Sequence, residues 1–271
     1  MIGRMFLMLA AAAFGVEDGA PLAPLTPAGK WTVDTVPSGC RANRTFGAAE
    51  DVVLRIIAKP ITSTYFVSVT LKAPISISYN DPVRVTLEPG GRVLTGSATG
   101  FSPLAGRPVL VGAFVDSAPF AASSVSAIGF SVKDKRIAYL TMDHVPALLA
   151  VLKTCENEML AKFGVDLAGQ QIVATPPEPI LTMESLFRSN DYPVGARRAG
   201  AEGVVAGRFR VTPDGSVTDC VVISGSGNAE LDQGTCAIWL SRAKFKPALS
   251  KDGQPVASAQ IFSLHWSLPY R

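Results

Sequence analysis

Residues 203–223 leave the chain few choices. Val205, Gly207, Phe209 and Val211 alternate with Ala206, Arg208 and Arg210, the period of two that sends successive side chains to opposite faces of a strand. Pro213-Asp214-Gly215 follows. Proline fixes φ there and glycine accepts the positive φ of a tight return, so Val217 to Ile223 runs back as the second arm of a hairpin. Asn228 is placed to cap a helix running to about Arg242. Leu231, Thr235, Ile238 and Trp239 lie along one side of that helix, and Ala237 and Leu240 widen its apolar face. After a loop punctuated by Pro247, Gly253 and Pro255, a last strand carries Phe262, Leu264 and Trp266 on one face and Ile261, Ser263 and His265 on the other. The pattern predicts ββαβ, a small antiparallel sheet with one helix packed on it.

Upstream, the pattern changes. Val52 to Ala58, Tyr65 to Leu71, Val83 to Leu87, Pro108 to Val115 and Arg136 to Leu140 are short runs rich in β-branched or aromatic residues. Pro89-Gly90-Gly91 reads as a turn. Between Asp143 and Phe163 the period becomes helical, with Leu148, Leu149, Leu152, Cys155, Met159 and Leu160 on one face, Asp143 placed to cap the start and Gly164 to end it. Pro176-Pro177-Glu178-Pro179 reads as a short, semi-rigid polyproline II linker. A chain of 271 residues is comfortable for two domains. The expected class is α+β: residues 1–20 an export signal, 29–168 a β-rich domain with one C-terminal helix, 169–189 a proline-containing linker, and 190–271 the ββαβ domain.

Composition narrows the function classes. The chain is 48% hydrophobic and 17% charged, with a formal net charge of +3. No Lys/Arg-rich block is interleaved with aromatics, which argues against nucleic acid as a partner. Arg4 precedes an apolar run from Met5 to Phe14. Such a run is too short for a bilayer core, which needs about 20 residues, and suits the central region of a secretory signal peptide. The alternative is an inner-membrane anchor that begins upstream, so membrane contact is expected only if this segment stays uncleaved. Cysteines in an exported chain invite disulfide pairing. Cys40 and Cys155 bracket one half, Cys220 and Cys236 lie in the other, and the connectivity that keeps each bridge inside a domain is favoured. No metal is expected, because no Cys-x-x-Cys occurs and His144 and His265 lie far from any cysteine in sequence. Gly225-Ser226-Gly227 lacks the Gly-Lys-Ser/Thr of a phosphate loop, and no cofactor is expected.

The last third also carries an ordered series of marks. Tyr192-Pro193 leads to Ala196, then Gly203-Val204, Val211 to Gly215, Ser224-Gly225-Ser226-Gly227, Leu231-Asp232, Phe245-Lys246-Pro247-Ala248, Gly253-Gln254-Pro255-Val256 and Trp266. In this order and spacing the series resembles the TonB C-terminal domain family. The first half, on Trp31, Gly39-Cys40-Arg41-Ala42, Leu152 with Cys155, and Phe163-Gly164, resembles the N-terminal module often joined to such domains in alphaproteobacterial proteins. The resemblance implies a periplasmic protein of the cell envelope that binds partners. TonB-type domains grip a short extended segment of an outer-membrane transporter by adding it as a strand to a sheet edge. Backbone groups then supply the affinity and alternate pockets the selectivity. The final strand becomes the expected edge, with Ser258, Gln260, Ile261, Phe262, Ser263 and His265 as partner-binding residues. The expected partner is a protein or peptide, such as an outer-membrane TonB-dependent transporter, and homodimerisation through the same edge is the competing use.

The chain departs from a standard energy transducer, because a globular domain stands where a long proline-rich spacer belongs. A role in transmembrane transport therefore stands beside a second reading, a soluble periplasmic scaffold that holds one partner on each domain. A hydrolase is the rival class. Gly96-Ser97-Ala98 and Gly225-Ser226-Gly227 both fail the nucleophile-elbow spacing, and neither histidine has an acid partner at readable spacing. The chain is expected not to be an enzyme.

Overall fold

The computed structural model describes residues 22–37, 39–62, 64–71, 81–94, 98–101, 108–121 and 125–268. The expected export signal at 1–20 lies outside the described residues. The fold is α+β and rich in strands, and it is organised around two separate hydrophobic cores.

The first core lies between two antiparallel sheets. Its strands are β1 (Thr32–Val36), β2 (Gly39–Phe46), β3 (Val52–Ala58), β4 (Thr64–Leu71), β5 (Val83–Glu88), β6 (Arg92–Leu94), β7 (Ala98–Phe101), β8 (Val109–Asp116), β9 (Ala127–Val132) and β10 (Lys135–Thr141). One sheet has the order β1-β2-β3-β4-β8-β7 and the other β10-β9-β5-β6. Along β3 the inward residues Val52, Leu54, Ile56 and Ala58 are buried and those between them only partly so, the alternation of a strand with one face on a core. Five further strands, β1, β2, β6, β7 and β9, join those visible in the sequence pattern. In β2 an inward position holds Arg44, 9% exposed, whose charge is neutralised by the Asp143 carboxylate and whose Nε donates to the Gly29 carbonyl at 2.8 Å.

Helix α1 (Val145–Lys162) closes this core with Val145, Leu148 and Leu152, and also buries Met159 and Leu160. Its start differs from expectation. His144, not Asp143, holds the N-cap position, with φ 52° and no side-chain cap bond. Asp143 is instead engaged by Arg44, and a charge-assisted pair with a buried guanidinium outweighs a single capping bond. A disulfide between Cys40 and Cys155 fastens α1 to β2.

The segment expected as a short, semi-rigid linker pairs with the C-terminal domain. After α2 (Leu167–Gln171) come β11 (Val173–Thr175) and β12 (Glu178–Pro179), then short helices α3 (Met183–Leu186) and α4 (Val194–Arg198). The hairpin follows as β13 (Gly203–Val211) and β14 (Val217–Ser224), with α5 (Ala229–Arg242), β15 (Phe245–Lys246), β16 (Ala248–Ser250), β17 (Pro255–Val256) and β18 (Ser258–Trp266) completing the chain. β11 pairs with β16 and β12 with β15. The prolines keep the extended backbone that their composition implies, but the partner is the C-terminal domain rather than solvent.

α5 begins at Asn228, whose side chain accepts from the Glu230 and Leu231 amides. It buries Leu231, Thr235, Ile238 and Trp239. Ala237 and Leu240 do not widen that face: both are exposed, Leu240 by 47%. Phe209 packs on Trp239 with ring centroids 4.5 Å apart, and a second disulfide joins Cys220 on β14 to Cys236 on α5. Gly215, φ 81°, ends the turn so close to β15 that a Cβ there would lie 2.0 Å from the Phe245 carbonyl oxygen. Among the described residues no helix is long and apolar enough to cross a membrane.

Candidate functional site

The C-terminal sheet has the order β14-β13-β18, and its two edges are not equivalent. β13 pairs with β18 residue for residue, without a slip, from Gly203 opposite Trp266 to Val211 opposite Ser258. Against β14 the register shifts twice, between Ala206 and Gly207 and between Arg208 and Arg210. Asp219, at the second shift, has φ 53°. A bulge throws backbone amides out of line and adds twist, which makes an edge a poor template for another strand. β18 is the regular edge, and among the described residues no strand pairs with its outer side.

Its outward backbone groups follow from geometry. In an antiparallel strand the N–H and C=O of one residue point to one side and those of the next to the other. The Ala259 N–H donates to Gln170 Oε1 at 2.9 Å, away from β13. Ala259, Ile261, Ser263 and His265 therefore present their backbone groups outward, while Ser258, Gln260, Phe262, Leu264 and Trp266 are held by β13.

The side chains divide in the same rhythm. Phe262 and Trp266 are each 6% exposed and pack into the second core. The Phe262 ring lies across β13 at Gly207, where a Cβ would come within 2.7 Å of its Cζ. Only glycine leaves room for that ring. Trp266 donates its indole N–H to the Thr235 hydroxyl at 2.9 Å and meets Tyr192 edge-on at 5.2 Å. Ser258 is buried and Gln260 half-buried, its Nε2 donating to the Ala259 carbonyl at 2.7 Å. Ile261 is half-buried, and Ser263 and His265 are exposed.

Beside the edge, on the helix side, lies a cavity of about 260 Å³ lined by Leu181, Met183, Leu186, Trp239, Phe245 and Phe262, with Gln260 and Ile261 also contributing. Leu181 and Met183 are 40% and 43% exposed. One wall of the cavity is thus the segment leading into the domain, and the other is the edge strand itself. Charged groups nearby serve the scaffold. The Ser216 and Thr212 hydroxyls bring the Asp214 carboxyl down to about 2, which keeps the hairpin turn clasped. The Arg242 guanidinium, bound to both oxygens of Asp191, holds that carboxyl below its usual range. Asp232 accepts from the Ser226 amide and hydroxyl, both at 2.8 Å, and so fastens the Gly225-Ser226-Gly227 connector to α5. His144 and His265 are both exposed and lie apart in the chain's two halves, at the start of α1 and near the end of β18.

The structure brings the six residues expected for partner binding onto one strand but gives them unlike roles. Ile261, Ser263 and His265 carry outward backbone groups; Gln260 and Phe262 line the cavity; Ser258 is enclosed. Gln170, Ala259, Leu181 and Met183 were not anticipated, because nothing in local pattern marks them. Residues 188–268 match the family model described as Gram-negative bacterial TonB protein C-terminal. No curated protein matches the chain. Domains of this family are protein-interaction modules that meet outer-membrane transporters, in proteins that are periplasmic or envelope-associated. The part of the chain from residue 188 to 268 belongs to the TonB C-terminal domain family.

Proposed function

We propose that this is a periplasmic TonB-like binding protein whose C-terminal domain takes an extended protein segment as an added strand on the outer edge of β18. The uninterrupted β13–β18 ladder carries the reading, since it lines up the Ile261, Ser263 and His265 backbone groups at strand spacing. The cavity beside Gln260 and Phe262 supports it, because partner residues opposite those two positions point to the same side of the sheet. An outer-membrane transporter segment is one such partner. A soluble adaptor is favoured over a force-bearing transducer by one observation: residues 173–179 are paired onto the domain rather than left as a spacer.

The test is fluorescence polarisation with a labelled heptapeptide of alternating valine and threonine. Ile261→Pro removes an outward N–H without touching the bonds to β13, a position where an edge strand accepts proline. The peptide is expected to bind the wild type and to lose most of its affinity for Ile261→Pro. Equal binding by a variant that keeps its circular dichroism spectrum would move the site elsewhere.

A further inference from the structure

The edge of β18 is open along only part of its length. At Ala259 a side-chain amide stands where a partner strand would stand: Gln170 Oε1 accepts from the Ala259 N–H at 2.9 Å, and Gln170 Nε2 lies 3.5 Å from the Ala259 carbonyl oxygen. A residue of an added antiparallel strand makes the same two contacts, one accepting and one donating. Gln260 Nε2 adds a second donor to that carbonyl at 2.7 Å. The Ala259 peptide groups are thus already satisfied from within the chain.

Gln170 is not carried on a free loop. The Asp166 side chain caps α2 by accepting from the Ala168 amide at 3.1 Å. On one side, Arg208 Nε donates to the Phe163 carbonyl at 2.6 Å and Arg208 Nη1 pairs with Asp219 at 2.5 Å, so the end of α1 is fastened to β13 and β14. On the other, Val173 pairs with Ser250. The glutamine is held between two attachments to the second domain, one from the end of α1 and one from the linker strand β11.

We infer that Gln170 is a register stop for the added segment, an inference that rests on strand addition at β18. With Gln170 seated, Ile261, Ser263 and His265 remain for the partner. An antiparallel segment must end or turn away after the residue opposite Gln260, because its next residue meets the Gln170 amide. The stop also fixes phase. A partner cannot slide two residues toward Ala259, so the residue opposite Phe262 is always the one presented to the Leu181–Met183 side of the cavity. The preferred ligand is therefore short and extended, about five paired residues, with an apolar side chain at that position.

The full chain and its Gln170→Ala variant are titrated with a labelled pentapeptide and nonapeptide of alternating valine and threonine, and amide exchange is followed at Ala259 and Ile261. In the wild type both peptides bind with similar affinity and protect Ile261. In Gln170→Ala the pentapeptide is unchanged, while the nonapeptide gains about five- to tenfold and newly protects Ala259, as two added hydrogen bonds imply. Gln170→Glu keeps an acceptor for the Ala259 N–H but loses the donor to the Ala259 carbonyl, so its length dependence is expected to fall between those of the wild type and Gln170→Ala. Peptides that bind Ile261 with the same length dependence in all three proteins overturn the stop while leaving strand addition in place. Binding by neither peptide to any of the proteins overturns both.

Discussion

Thr235 joins the helix of the C-terminal domain to its edge strand, and its removal has a calculable cost. The residue is fully buried, donates from Oγ1 to the Leu231 carbonyl at 2.8 Å and accepts the Trp266 indole N–H at 2.9 Å. Thr235→Val keeps the shape and deletes the acceptor. The bond to Leu231 costs little to lose, since that carbonyl stands within a helix turn. The indole N–H is different: Trp266 is 6% exposed, and a buried donor left unpaired costs about 1–3 kcal/mol. The added methyl returns up to about 0.8 kcal/mol, which leaves a net loss of about 1–2 kcal/mol. For a domain of this size each kcal/mol lowers the midpoint by about 4–8 °C. Thermal unfolding followed by tryptophan fluorescence is weighted toward this core, because Trp239 and Trp266 belong to it while Trp31 alone packs on the other. Thr235→Ser serves as the control that keeps the acceptor. The decisive comparison is a double-mutant cycle with Trp266→Phe, which removes the indole donor. If Thr235→Val costs as much in the Trp266→Phe background as in the wild type, the hydrogen bond is not the cause and the reasoning fails.

Two further outcomes follow from the links between elements. Replacing Cys220 and Cys236 together by alanine opens a loop with a sequence separation of 16 and should lower stability by about 3 kcal/mol, read as a shift in the urea midpoint of the tryptophan signal; an unmoved midpoint would mean that the cross-link contributes nothing once α5 is packed. Asp143→Asn leaves Arg44 without its carboxylate and should cost about 1–3 kcal/mol near neutral pH, less than a fully enclosed pair because Asp143 is 42% exposed. The hydrogen bond from Arg44 holds the Asp143 carboxyl below its usual range. Its contribution is therefore complete above the unfolded value, near pH 4, and is lost as pH falls through the lower folded value. A wild-type advantage over Asp143→Asn that persists undiminished in strong acid contradicts this.

Local signals made the C-terminal domain legible. The alternation in β13, the Pro213-Asp214-Gly215 turn, the Asn228 cap and the alternation in β18 each act within a few residues, and each element stands where its own chemistry places it. The first domain was legible only in part. β2 escapes because one of its inward side chains is Arg44, acceptable only beside an aspartate 99 residues later. β9 escapes because Ala127 to Val132 are buried throughout, so no period of two appears. Pro177 and Pro179 do announce extended backbone, but extended backbone is common to a polyproline spacer and a strand. Which of the two forms depends on whether β15 and β16 are within reach.

The choice of binding edge turns on a similar distant contingency. In sequence the two strands that become the edges, β14 and β18, look alike, both short and bounded by turns. They differ because β14 must insert extra residues against β13, with Asp219 at φ 53°, while Cys220 beside it is tied to α5. The cross-link and the bulges belong to one side of the sheet, so its irregularity falls on that side. The opposite side is free to run straight, and Gly207 allows Phe262 to lie flat against the sheet and hold β18 in place without a covalent bond. A regular edge on a small sheet invites pairing with any extended chain, including another copy. The start of the linker answers that hazard at one end with Gln170. Under the proposed strand addition the folded-down linker becomes part of the binding site, since it supplies the limit of the edge and the far wall of its cavity, and a C-terminal domain expressed from residue 188 onward should accept longer and less regular partners than the whole chain does.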